Sequence, residues 1–186
     1  MKTLIVGLGN PILGDDGVGW KVVEEVKKQL PPPPSPLPEG QTSDGVEGRK
    51  GEGDVDIICL SLGGLGLMEH LIGYQRAILV DSFAMGENDQ PGSILILNLN
   101  DIPNYSAYHT TSAHDTSLQN AIELGRAMGA QLPDEVEVVG IATGRIHDFS
   151  EELSPPVADA VPFAARIVLD LLAQAPKRKD EVQMQH

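Results

Sequence analysis

Three short apolar runs rich in branched side chains constrain the fold more than any other feature of the chain: residues 3–8 (TLIVGL), 55–61 (VDIICLS) and 77–81 (AILVD). The first and third read as strands buried on both faces, which belong to parallel sheets, and the second reads as a further strand. Segments with helical spacing lie between them. In residues 18–30, Gly19, Val22, Val23, Val26 and Leu30 follow i, i+3, i+4, i+7, i+11, the stripe of a helix packed on a sheet. A short helix is expected at 65–72 after Gly63-Gly64, and another at 115–128 with Leu118, Ala121, Ile122, Gly125 and Met128 on one face. Two more strands are expected at 92–99 (GSILILNL), whose partial alternation suits an edge position, and at 135–141 (EVEVVGI).

A closing helix is expected over 157–172 with Val157, Val161, Ala164, Val168, Leu171 and Leu172 facing inward. Its regular part is expected to begin only at Pro162, because proline removes a helical donor. Strands alternating with helices imply an α/β fold with a mostly parallel, five-stranded sheet covered on both faces. The chain reads as a single domain over residues 1–175, followed by a polar tail at 176–186. One stretch breaks the pattern: residues 31–54 hold six prolines and five glycines. That composition favours an extended surface insert.

Composition excludes several classes of function. The net charge is −14, and residues 77–125 contain no Lys or Arg while holding six Asp and Glu. A nucleic-acid binder needs cations to displace phosphate counterions, so no nucleic-acid partner is expected. No apolar run approaches the ~20 residues of a membrane helix, and Met1-Lys2-Thr3 leads straight into a strand with no signal-peptide pattern. A cytoplasmic monomer is the expectation. The lone cysteine, Cys59, rules out an internal disulfide and reads as a core thiol within a strand. It has no cationic neighbours to activate it, and no G-x-S-x-G elbow is present.

Ligands of open α/β sheets gather beyond the carboxyl ends of the strands. That rule selects Gly7–Gly19, Ser61–Gly66, Asp81–Gly86 and the approach to His114. Gly7-Leu8-Gly9 after a strand resembles the start of a dinucleotide fingerprint, but Ile12 stands where its third glycine belongs, and Asp15 and Asp16 precede the helix where a pyrophosphate needs positive potential. Carboxylates there suit either helix capping or a cation. Being adjacent, the two cannot easily aim at one point, so one is expected to cap the helix and the other to face the cleft. Asp81, ending the third strand, either points into the cleft or braces a loop. His114, in Thr-Ser-Ala-His-Asp, is a candidate ligand for nickel or zinc. His70 falls in a helix, His109 and His147 in loops, and His186 in the tail.

Taken together, these residues resemble the hydrogenase maturation proteases. That family opens with a strand and G-x-G-N-x-x-x-x-D-[DE]-x-x-G, and residues 7–19 read GLGNPILGDDGVG. The other family elements are a Gly-Gly before a Met-Glu helix (Gly63-Gly64, Met68-Glu69), a strand reaching Asp (Val80-Asp81), Ser-x-His before a later helix (Ser112-Ala113-His114), and Leu-Ser/Thr-Pro before the last helix (Leu153-Ser154-Pro155). The matches span most of the chain apart from the insert and the tail. Many members carry an acid just before Gly-Gly, where this chain has Ser61-Leu62.

The resemblance implies a three-layer α/β/α sandwich. It also implies an endopeptidase that removes the C-terminal extension of a nickel–iron hydrogenase large-subunit precursor after nickel insertion. Asp16 and His114 would be the catalytic and metal-contacting pair; with Leu62 where many members carry an acid, the alternatives for a third contact are the Asp81 carboxylate or a weak one from Ser61. The nickel would arrive on the precursor, with no tightly held cofactor in the enzyme. Two other readings share features of the sequence. Peptidyl-tRNA hydrolases also open with Gly-Leu-Gly-Asn-Pro, but expect a further glycine after the proline, where Ile12 stands, and a His-Asn element near position 20, where Val18-Gly19-Trp20 stand. A non-catalytic metal- or nucleotide-binding domain would reuse the same fold.

Overall fold

A computed structural model describes residues 1–30, 54–84, 90–101, 117–144 and 149–174. His109, His114, His147, His186, residues 31–53 of the insert and the tail lie outside the described residues. The elements are β1 (Thr3–Leu8), α1 (Val18–Gln29), β2 (Val55–Leu60), α2 (Gly64–Leu71), β3 (Arg76–Ala84), β4 (Ile94–Asn98), α3 (Leu118–Ala127), β5 (Glu135–Thr143) and α4 (Pro155–Ala173). A 3₁₀ turn, Gly14–Gly17, leads into α1.

The sheet runs β2-β1-β3-β5-β4. All neighbours are parallel except β4, which lies antiparallel on β5 at the edge. Two apolar cores flank the sheet, making a three-layer α/β/α sandwich. One joins Ile5, Ile78, Val80, Val139 and Ile141 to α1 and α4. The other joins Leu4, Val6, Leu8, Leu79 and Val136 to α2 and α3. The alternation of side chains along each strand sorts neighbouring residues into opposite cores.

From β1 the chain crosses to β2 on one side, then returns past β1 to β3. The order therefore reverses between β1 and β3, and a crevice opens there at the carboxyl ends of the strands. β1 pairs with β3 only as far as Gly7 opposite Val80. β3 does not end at Asp81 as its apolar run suggests. It continues to Ala84, held by β5 alone, with Asp81 opposite Gly140. Asp81 is thus the first residue of β3 above the end of β1, in the crevice wall rather than in a loop.

The structure corrects three other expectations. α4 runs unbroken through Pro162, starting at Pro155 and Pro156 in the first turn, where proline is tolerated. Pro162 and Ala158, whose carbonyl loses its donor, are both exposed, while Val157, Ala160, Ala164, Ala165, Val168 and Leu171 remain buried. Solvent satisfies the carbonyl that proline leaves free. Met128 lies just beyond α3 and is 79% exposed rather than part of its inner stripe. Cys59 is half-buried against the α1–α4 core, and burial raises its thiol pKa.

The Glu-Val-Glu-Val alternation of β5 is also not a solvent-facing pattern. Glu135 and Glu137 are buried beside Arg76, which is 2% exposed. The Arg76 Nε donates to Glu137 at 3.1 Å and lies 3.6 Å from Glu135. Its terminal nitrogens donate to the carbonyls of Leu171 and Gln174 at the end of α4, at 2.9 and 3.0 Å. One cation therefore pairs with Glu137 beside Glu135 at the amino-terminal end of β5 and caps a helix at the end where the dipole is negative.

Candidate active site

The crevice between β1 and β3 is a cleft of about 540 Å³ lined by Gly9, Asn10, Asp16, Ser61-Leu62-Gly63-Gly64 and Asp81 at its mouth, and by Leu8, Leu67, Leu79, Leu99, Leu118 and Val138 deeper down. Polar groups converge at the rim over an apolar floor, the usual build of a ligand site.

The glycines of the first loop explain how Asp16 reaches this rim. Gly9 has φ +114°, and a Cβ there would come within 1.8 Å of the Asp16 carbonyl oxygen. A Cβ on Gly19 would lie 2.3 Å from the Leu8 carbonyl oxygen and 2.4 Å from that of Val80. The backbone of α1 is therefore pressed onto β1 and β3 at the point where the crevice opens. Only glycine permits that approach, and it swings the Gly14–Gly17 turn over the strand ends.

The two adjacent acids then separate in role. Neither caps α1, whose N-cap is Gly17 without a side-chain bond. Asp15 turns away and accepts the backbone N–H of Ser154 at 2.6 Å and its hydroxyl at 2.8 Å, which ties the first loop to the start of α4. Asp16 borders the cleft. Its Oδ2 accepts the Asn10 N–H at 2.7 Å and its Oδ1 accepts the Ser82 hydroxyl at 3.1 Å.

Asp81 faces the same cleft from β3, its Oδ1 accepting the Ser82 N–H at 2.8 Å. Burial pushes its carboxyl up to about 6, the Ser82 N–H opposes the rise, and the Asp16 charge adds to it. The Asp16 charge raises the cost of ionising Asp81, and a cation at the cleft mouth would offset that cost. The pair therefore suits a cation at the cleft mouth. Among the described residues no cluster of three or more metal-binding side chains forms.

The structure thus brings Asp16 and Asp81 to one mouth. It leaves Asp15 in a bracing role, and His114 lies outside the described residues. Just before Gly63-Gly64, Ser61 donates its hydroxyl to the Gly9 carbonyl at 2.8 Å, and Leu62, 50% exposed, borders the cleft. Trp20 reaches across from α1 to the Leu60 carbonyl at 3.4 Å. Sequence reasoning missed two contributors, Ser82 and the backbone N–H of Asn10. Ser82 follows a candidate acid directly, and that adjacency was the only local signal.

Comparisons with known proteins converge. Residues 46–171 match the family described as HycI, hydrogenase maturation protease. The hydrogenase expression/formation protein HupD of Bradyrhizobium diazoefficiens is 23% identical over 93% of this chain and 79% of its own length. HoxM of Azotobacter vinelandii, also named a hydrogenase expression/formation protein, is 27% identical over 92% of this chain and 72% of its own. Among solved structures, the hydrogenase maturating endopeptidase HybD from E. coli superposes with a TM-score of 0.66 at 22% identity, covering 92% of each chain. This last likeness speaks for the fold.

Proposed function

The chain belongs to the hydrogenase maturation protease family, and from that premise we propose that it is the endopeptidase that removes the C-terminal extension of a nickel–iron hydrogenase large-subunit precursor once nickel is in place. Membership makes it a peptidase and sets aside the tRNA-hydrolase reading. The finer proposal is that Asp16, Asp81 and His114 contact the nickel carried by the precursor and so confirm its loading before the chain is cut. The enzyme then needs no tightly held metal of its own, and it acts in the cytoplasm.

The observation that carries this reading is the convergence of Asp16 and Asp81 at the crevice between β1 and β3. Two carboxylates at one cleft mouth, with no ion-pair partner among the described residues, favour binding a dication delivered by a partner. A metal near the scissile amide polarises its carbonyl or a water, which lowers the barrier to hydrolysis. The cleft mouth orients the metal-bearing segment of the precursor, and partial burial of Asp81 strengthens its interaction with the metal relative to bulk solvent.

The test is to incubate the purified chain with nickel-loaded and nickel-free precursor and to measure the shortened product by mass. Cleavage of the loaded form alone is expected. The D16A and H114A variants are expected to lose processing while keeping the thermal unfolding transition of the parent. Equal cleavage of both precursor forms, or normal cleavage by either variant, would reject the nickel-contact reading.

A further inference from the structure

We infer that Ser82 is a positioning residue that holds Asp16 and Asp81 in register with each other, an inference that rests on the reading of those two carboxylates as nickel contacts. Successive residues of a strand point to opposite faces. Val80 belongs to the α1–α4 core, whereas Leu79 belongs to the α2–α3 core. Asp81 follows the parity of Leu79, and both line the cleft. Ser82 follows the parity of Val80, toward the side where α1 begins.

From there its hydroxyl donates to Oδ1 of Asp16 at 3.1 Å, a residue 66 positions away, while its backbone N–H donates to Oδ1 of Asp81 at 2.8 Å. A single residue therefore grips both acids, one through its side chain and one through its main chain. Among the described residues, the other donor to the Asp16 carboxylate is the Asn10 N–H, on Oδ2 at 2.7 Å.

These bonds do different work. A lone donor on one oxygen leaves an aspartate free to rotate about its Cβ–Cγ bond. A second donor on the other oxygen fixes the plane of the carboxylate. With one bond accepted by each oxygen, a lone pair on each stays available to a cation. Groups that orient a metal-contacting side chain in this way are worth ~10–100-fold in metal affinity or activity. The Asn10 donor is main-chain and survives any side-chain change, so Ser82 is the one replaceable part of the clamp.

The inference is tested with S82A, which removes the hydroxyl donor to Asp16 but keeps the N–H donor to Asp81, and with S82T, which keeps both. Two quantities are measured for each chain beside the wild type: the single-turnover rate of precursor cleavage, and the ratio of affinities for nickel-loaded and nickel-free precursor. S82A is expected to cleave ~10–100-fold more slowly and to lose most of its preference for the loaded form, at temperatures far below its unfolding transition. S82T is expected to recover both. A wild type that discriminates between the two forms, beside an S82A that matches it within twofold, overturns the role of Ser82 alone. The same holds for a slow S82A that keeps the full nickel preference. A wild type that treats both precursor forms alike overturns the nickel reading and this inference together.

Discussion

At the scale of single residues, the cost of the site is concentrated in Asp81. Its carboxyl is half-buried beside another acid, and its pKa stands at about 6 against an ordinary value of 3.8. The folded chain therefore holds this proton more tightly than the unfolded chain. Stability is lowest with respect to this group above pH 6, and it is regained as pH falls from 6 toward 4. Asp81→Asn removes the buried charge and should stabilise the chain at pH 7 by about 1–3 kcal/mol, allowing for partial exposure. That gain should shrink toward zero near pH 4, and urea titrations of both proteins at pH 7 and pH 4 check it. The same variant is expected to lose precursor processing, so the site trades stability for function. Gly9 is the other sensitive residue. At φ +114° and with a Cβ 1.8 Å from the Asp16 carbonyl, Gly9→Ala forces the first loop to shift. A loss of about 3 kcal/mol or more is expected, since strain and overpacking coincide. Chemical denaturation measures the loss, and an unchanged midpoint would show that the loop is softer than its close contacts imply.

At the scale of elements, two long-range ties join the ends of the sheet to α4. Asp15 binds the N–H and hydroxyl of Ser154 at the start of the helix. Arg76 binds the carbonyls of Leu171 and Gln174 at its end, together with Glu137. Asp15→Ala removes an acceptor for two donors at a helix N-terminus and should cost about 1–2 kcal/mol. Processing should fall less than in D16A, because Asp15 faces α4 and not the cleft. Arg76→Ala leaves Glu137 buried without its partner, and breaking a buried pair this way costs about 3–5 kcal/mol. The sharper expectation is the comparison. Arg76→Ala should lower the unfolding midpoint further than Asp15→Ala, and the reverse order in parallel urea melts would refute the role assigned to the Arg76 cluster.

At the scale of the whole molecule, charge and topology set the function apart from the stabilising features. Arg76 and Arg126 lie toward the amino-terminal ends of the strands, whereas Asp15, Asp16 and Asp81 gather at the carboxyl ends. With a net charge of −14, self-repulsion opposes the compact state and salt screens it. Raising sodium chloride from low ionic strength should therefore raise the urea midpoint at pH 7, and a flat or falling dependence would count against this. Among the described residues no helix is long and apolar enough to cross a membrane.

The architecture was legible because it is written in local periodicity. Apolar runs named β1 and β3 as buried strands, whereas β2, with a similar run, is a half-buried edge strand, and the stripe Gly19, Val22, Val23, Val26 named the sheet-facing side of α1. The glycine spacing around Asp16 was legible for a related reason: Gly9 answers to the Asp16 backbone and Gly19 to Leu8 of the strand just before it, although Gly19 also meets the distant Val80 carbonyl. Distance in the chain hid the rest. The partners of Arg76 lie 61 and 95 positions along, and the hydroxyl that holds Asp16 comes from 66 positions away. Nor could a strand's end be read from its own residues, since Asp81 stands in the crevice wall only because β1 stops at Gly7 while β5 carries β3 on to Ala84. The sequence alone determined which segments become strands and helices and which acids stand near a strand end, because side-chain period and glycine placement act over a few residues. Tertiary structure alone decided which of two neighbouring aspartates meets the cleft and which braces α4, because that choice depends on donors that only folding brings within 3 Å.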